Sequence, residues 1–148
     1  MIFTKNRDPE DLNKLYESLI KQLPNIIFQI RVNKERQIAF DFLSKPIDFL
    51  NEFSFNEFIE DSYKLSNYTI YEPDLKGFID SYENAIANIE VWDIEFRLLL
   101  PDSGYKWIKI EATPKKNDLD EIVFYGLISD ITDVKEQEIR MRLADERY

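Results

Sequence analysis

From residue 90 to residue 112 the chain alternates between apolar and polar side chains in two successive runs. Trp92, Ile94, Phe96 and Leu98 alternate with Val91, Asp93, Glu95 and Arg97; later, Ile108, Ile110 and Ala112 alternate with Trp107, Lys109 and Glu111. A period of two sends successive side chains to opposite faces of a strand, so each run has one face for a core. Between the runs, Pro101-Asp102-Ser103-Gly104 is a turn, with Pro pre-setting φ and Gly supplying a positive φ where one is required. Residues 90–100 and 105–114 are therefore expected to be half-buried strands of one hairpin. The opposite face is not wholly polar: Val91, Leu99, Trp107, Tyr125 and Leu127 share its parity. Partial cover is expected there, from an amphipathic helix at residues 9–23 or from a partner chain.

That helix is marked at its start by Asp8, a capping residue, and Pro9, whose fixed φ and missing N–H suit the first helical position. Leu12, Leu15, Tyr16, Leu19, Ile20 and Leu23 follow at helical spacing until Pro24. Residues 25–32 and 37–43 read as two strands joined by the polar hairpin Asn33-Lys34-Glu35-Arg36, with the large apolar side chains at even positions in both. Residues 46–88 turn to helical spacing, with short helices expected at 47–51 and 55–63 and a longer one at 73–88, striped by Leu75, Phe78, Ile79, Tyr82, Ala85, Ile86 and Ile89. The polar segment 64–72, carrying two tyrosines, is expected to be the mobile part. After a charged loop at 115–121, the apolar run Ile122-Val123-Phe124-Tyr125 with Leu127-Ile128 gives a last strand.

This strand passes directly into a charged helix at residues 133–148. Asp133 stands three residues before Glu136, the spacing of a capping box, and Thr132 is an alternative cap. The division expected is an N-terminal amphipathic helix (1–23), a core (24–132) and an exit helix (133–148) that ends uncapped at Tyr148, as if cut from a longer chain. Ile131, Val134, Met141 and Tyr148 fall at coiled-coil-like positions, a seam too short and imperfect for a stable isolated coiled coil.

The 148 residues suit one domain, and with 44% hydrophobic and 32% charged residues the composition is globular. No apolar run approaches the roughly 20 residues that cross a bilayer, and the start lacks a signal peptide's apolar segment, which argues for a cytoplasmic location without direct membrane insertion. A net charge of -10 repels phosphate backbones, so nucleic acid is not an expected partner. The chain holds no histidine and no cysteine. Disulfides, thiolate nucleophiles, Ser-His-Asp triads and cysteine or histidine zinc sites each lose a required residue.

The order strand, strand, short helices, helix, three strands resembles a PAS domain with its C-terminal PAC segment. The residues that carry the resemblance are Glu95-Phe96-Arg97-Leu98, Asp102-Ser103-Gly104-Tyr105-Lys106-Trp107-Ile108, Pro114, Gly126 and Asp130-Ile131-Thr132. Ser103 departs from the family's usual Asp-Gly pair. The resemblance covers residues 10–133, through architecture before Pro73 and through residues after it. It implies an α+β fold, a five-stranded antiparallel sheet with short helices on one face, used as a cytoplasmic sensory or dimerisation module of a signalling protein such as a sensor histidine kinase. It also implies that Asp130, Ile131, Thr132 and Asp133, with Arg97 and Trp107, couple the core to the exit helix. Arg97 or Lys109 is the expected ion-pair partner of Asp130.

PAS-like pockets hold haem, flavin or small metabolites. Without His or Cys the usual haem ligand and the covalent flavin adduct are lost, leaving no cofactor or a non-covalently held small organic ligand. Phe28, Ile30, Phe40, Phe42, Phe78, Ile94, Phe96, Ile110 and Ile128 are the candidate lining residues, and the same residues can simply fill a core. Asp93, Glu95 and Glu111 offer a carboxylate pair for a small α+β enzyme with a cone-shaped pocket, the alternative function. Their parity instead suggests a solvated face with Glu95–Lys109 or Arg97–Glu111 cross-strand pairs. A homodimer through the N-terminal helix, the sheet face or the C-terminal helix is expected, with a downstream output domain.

Overall fold

The computed structural model describes residues 8–44, 70–100 and 104–146. The short helices expected at 47–51 and 55–63, most of the 64–72 segment and most of the 101–104 turn lie outside the described residues. Helix α1 (Pro9–Gln22) leads to strands β1 (Ile26–Val32) and β2 (Ile38–Leu43); α2 (Glu72–Asn88) then precedes β3 (Trp92–Leu100), β4 (Gly104–Lys116) and β5 (Ile122–Asp130), and α3 (Thr132–Glu146) leaves the sheet. The five strands lie in the order β2-β1-β5-β4-β3 with every neighbouring pair antiparallel. Pairing of β1 with β5 brings the first and last strands to the centre and joins the two hairpins into one sheet.

The period-two pattern is expressed directly in β1, where Ile26, Phe28, Ile30 and Val32 are buried and the residues between them are half-buried. Trp92, Phe96 and Leu98 of β3, Ile108, Ile110 and Ala112 of β4, and Phe124 and Ile128 of β5 share the same inner face. Helix α2 covers it with Phe78, Ala85 and Ile86, so the described part of the core lies between this helix and the sheet. Its rings meet edge to face: Phe78 with Phe96 at 5.0 Å and with Trp92 at 5.7 Å, and Trp92 with Phe124 at 6.0 Å. The Trp92 indole N–H donates to the Ser81 hydroxyl, and that hydroxyl donates to the Phe78 carbonyl, so these two polar groups are satisfied. Helix α2 closes on Ile89, which adopts a left-handed φ of 50° that is costly for a β-branched residue.

Four expectations are corrected. In β2 the even positions do not all face the core, because a bulge opposite Gln29 and Ile30 changes the parity: Ile30 pairs Phe40, Gln29 pairs Phe42 and Phe28 pairs Leu43. Phe42 therefore lies on the outer face, 43% exposed, and does not line the core. Strand β4 runs on through Lys115 and Lys116, which pair Val123 and Ile122, so the charged loop is shorter than expected. Pro114 is accommodated there because it lies beyond the end of β3, where β4 has a neighbour on one side. Helix α1 begins as expected, with the Asp8 carboxylate accepting from the Asp11 N–H, but none of its residues is buried. Val91, Leu99 and Tyr125 of the outer face stay exposed: amphipathicity fixes which side of a helix seeks burial, not which surface supplies it. Finally, α3 starts at Thr132, which places Asp133 inside the first turn.

Candidate functional site

The strand-to-helix joint has one residue, Ile131, between β5 and α3. The Ile131 N–H donates to the Trp107 carbonyl at 2.9 Å, which extends the β4–β5 ladder one step past Asp130. In return the Trp107 N–H donates to the Thr132 hydroxyl oxygen at 3.1 Å. Asp130 then accepts from both the N–H and the hydroxyl of Thr132, satisfying an otherwise orphaned donor of the helix start. The cap thus comes from Asp130, before the helix, and not from an Asp133–Glu136 box. The Lys135 N–H closes the first turn on the Ile131 carbonyl.

The other Asp130 oxygen lies 3.4 Å from the Lys106 ammonium, so its cation is neither Arg97 nor Lys109. Arg97 is engaged by Asp74 of α2 in a full fork: Nε donates to Oδ2 at 2.9 Å and Nη2 to Oδ1 at 2.7 Å. The Arg97 backbone N–H also donates to Asp74 Oδ2 at 2.7 Å, and the Tyr71 N–H donates to the Arg97 carbonyl at 2.9 Å. The guanidinium lies 4.2 Å from the Tyr71 ring centre and 4.9 Å from that of Trp107, its directly opposite neighbour on β4. From α3, the Lys135 ammonium lies 5.1 Å from the same indole ring and pairs with Glu95 at 2.6 Å. Two helix starts, those of α2 and α3, are thereby fastened to one cross-strand pair, Arg97 and Trp107.

The Arg97 hydrogen bonds hold the Asp74 carboxyl below its usual range against the opposing effect of its partial burial. A depressed folded value means that the stabilisation is complete above the ordinary aspartate pKa of about 3.9 and is lost as the pH falls through the lower folded value. Asp74→Asn is therefore expected to cost about 1–3 kcal/mol at pH 7. The gap between variant and wild type should narrow below about pH 4. Urea denaturation at pH 7 and pH 3 measures both; a gap that stays constant with pH contradicts the assignment.

Among the residues expected to line a pocket, Phe28, Ile30, Phe78, Phe96, Ile110 and Ile128 are buried, while Phe40 and Ile94 are partly buried against them. In the described part of the core, rings of this set touch one another. The carboxylates Asp93, Glu95 and Glu111 lie on the outer face, away from that core. Glu95 and Lys109 are register partners as expected, yet each finds a different ion: Lys109 pairs Glu111 along its own strand, and Glu95 pairs Lys135. The expected Arg97–Glu111 pair does not form, since Arg97 stands opposite Trp107 and Glu111 opposite Asp93. Among the described residues no group of three or more His, Cys, Asp or Glu side chains could hold a metal ion.

Sequence reasoning missed Asp74, Tyr71 and Lys135. Asp74 looks like an ordinary acidic residue of a first helical turn, and its partner is 23 positions away, beyond the reach of any local period.

No family model matches the sequence, and no curated protein does. Solved structures do. A sensory box histidine kinase/response regulator from Burkholderia thailandensis E264 is 17% identical, with a TM-score of 0.56 over 91% of this chain and 95% of that one. The N-terminal domain of a diguanylate cyclase with PAS/PAC sensor from Marinobacter aquaeolei is 16% identical, with a TM-score of 0.55 over 72% of this chain and 95% of that one. An RNA-binding light-oxygen-voltage receptor is 14% identical, with a TM-score of 0.64 over 99% of this chain but 41% of that one. The fold is PAS-like, with the five-stranded antiparallel sheet and flanking helices that the resemblance implied.

Proposed function

We propose that the chain is a cytoplasmic sensory and dimerisation module of a signal-transduction protein, foremost a sensor histidine kinase, and that α3 carries a rearrangement of the core or of a dimer to an output domain. The module itself is assigned no catalysis. The observation that carries this proposal is the contrast within α3: its first turn is bound to the sheet through Ile131, Thr132 and Lys135, yet none of its residues is buried. A helix held at one end transmits the orientation of what holds it. The names of the structural neighbours, a histidine kinase and a diguanylate cyclase among them, support the same class. A second copy is the natural partner for the apolar side chains left exposed on α1 (Tyr16, Leu19), the outer sheet face (Phe42, Tyr125) and α3 (Val134, Met141). A small organic molecule held without a covalent bond is the proposed class of any ligand.

The test joins the full chain through α3, in helical register, to the catalytic core of a histidine kinase and reads autophosphorylation. Insertion of one to seven residues after Tyr148 should change activity periodically and restore it near seven, where about two full helical turns return the output domain to its starting orientation. Asp130→Ala should shift the activity of the in-register fusion while the domain remains folded by circular dichroism. Output indifferent to both the insertions and Asp130→Ala removes the proposal.

A further inference from the structure

The outlet at Thr132 accounts for one side of the Arg97–Trp107 pair, and its other side is occupied just as completely. On β3, the backbone N–H and carbonyl of Arg97 are taken by the Asp74 carboxylate and the Tyr71 N–H, and its guanidinium is forked by Asp74. On β4, the backbone N–H and carbonyl of Trp107 are taken by the Thr132 hydroxyl and the Ile131 N–H. Arg97 and Trp107 face each other in register, and their side chains stack. One transverse row therefore runs from the chain entering α2, across two strands, to the chain entering α3.

The geometry points to this row as a mechanical relay: the grip of Asp74 and Tyr71 on Arg97 sets how firmly α3 is fastened at Trp107. Resting on the proposal that α3 is the outlet, it names residues 70–74, the entry to α2, as the input. The connection acts through packed and charged groups. Release of Asp74 frees the guanidinium, which then no longer fixes the Trp107 ring that Lys135 also uses. Lys135 keeps Glu95 as its ion partner, so the change is a loosening of α3's first turn and not its detachment. The row has two discrete arrangements, clasped and open, because a fork of charge-assisted hydrogen bonds is directional and does not stretch gradually.

Amide hydrogen exchange on the full 148-residue chain tests it, comparing wild type with Asp74→Ala and the milder Asp74→Asn. The amides to read are Ile131, Trp107 and Lys135, with Phe124 in the central strand as the reference for global opening. Release of the clasp should speed exchange at Ile131 and Trp107 by roughly tenfold or more while Phe124 is unchanged. Arg97→Lys, which retains the charge and the backbone N–H but lacks the fork, should act in the same direction. Lys76→Ala, which breaks an exposed ion pair with Asp80 on the same helix, should leave all of these amides alone. Unchanged exchange at Ile131 and Trp107 overturns the relay, as does acceleration equal to that at Phe124, which makes the clasp a contributor to global stability and nothing more. Should Asp74→Ala fail to fold, Asp74→Asn and Arg97→Lys decide by the same criteria. These amides report the fastening of α3 with no output domain present. Loosened exchange with indifferent output keeps the relay and removes the signalling role; responsive output with unchanged exchange does the reverse.

Discussion

Trp92→Ala is expected to cost about 3–5 kcal/mol of folding free energy, the range for truncating a large aromatic side chain in a packed core. Trp92 is 1% exposed and stands where three rings converge: Phe78 and Tyr82 from α2, at 5.7 and 5.2 Å between ring centres, and Phe124 from the central strand at 6.0 Å. Removing it opens a cavity between helix and sheet that a backbone held by two hairpins is poorly able to close. The loss also strips the Ser81 hydroxyl of a donor, although that hydroxyl retains the Phe78 carbonyl. Set against the roughly 5–15 kcal/mol that holds an ordinary domain together, such a change removes a large share of the stability. Urea denaturation should show a lower midpoint with an unchanged slope, and Trp92→Phe should fall between the two. A loss below about 1 kcal/mol for Trp92→Ala would mean that α2 does not rest on the sheet through this ring.

The second large effect is expected from a single added methyl group. Gly126 lies between Phe28 on β1 and Ala112 on β4. A Cβ built there would stand 2.5 Å from the Glu111 carbonyl oxygen, 2.7 Å from the Ala112 Cβ and 2.9 Å from the Ala112 Cα. These are backbone and near-backbone atoms, so relief requires β4 and β5 to separate locally and the ladder that leads to Trp107 and Ile131 to distort. Gly126→Ala should therefore cost at least the upper end of the about 1–3 kcal/mol typical of overpacking. Gly77→Ala is the matched control: nothing lies within 4 Å of its added methyl group, and it sits inside α2. There the same substitution should stabilise by about 0.5–1 kcal/mol through helix propensity. Thermal melts of the two variants should move in opposite directions; a tolerated Gly126→Ala would contradict the close approach of β4 to β5.

Where the fold follows from short-range periods, the sequence was legible. Alternation marked β1, β3 and β4 and told their inner faces from their outer ones, and the Asp8-Pro9 pair marked the start of α1. The stripe from Leu75 to Ile86 marked α2 and the expected end at residue 88 holds, although a β-branched residue such as Ile89 gives no sign that it will take a left-handed conformation. The β2 bulge was hidden for a related reason. Ile38, Phe40 and Phe42 alternate without fault, and the extra residue that turns Phe42 outward exists only in relation to the partner strand. The candidate site was legible on one side. Trp107 and Asp130-Ile131-Thr132 are close in the sheet and recognisable as a pattern, whereas Asp74, Tyr71 and Lys135 reach Arg97, Trp107 and Glu95 from elements whose placement no local spacing encodes. The charges on the outer face show the same limit. Glu95 and Lys109 stand opposite each other as parity requires, and a third element then brings Lys135 over Glu95 and reassigns both ions.

The hold of Tyr71 and Asp74 on Arg97 bears also on how this protein behaves in a crowd. Strand β3 is an outer strand of the sheet, and an outer strand offers its free amide and carbonyl groups as a template on which another chain can add. At Arg97 neither group is on offer, and Ile70 bridges Leu98 beside it, so a short length of the molecule's own backbone and one carboxylate occupy the places an incoming strand would need. A charged pair set into that edge would also have to be desolvated by any further strand. On the proposed relay, whatever loosens this corner exposes sticky backbone as it loosens the helix, so that solubility and responsiveness would draw on the same few hydrogen bonds.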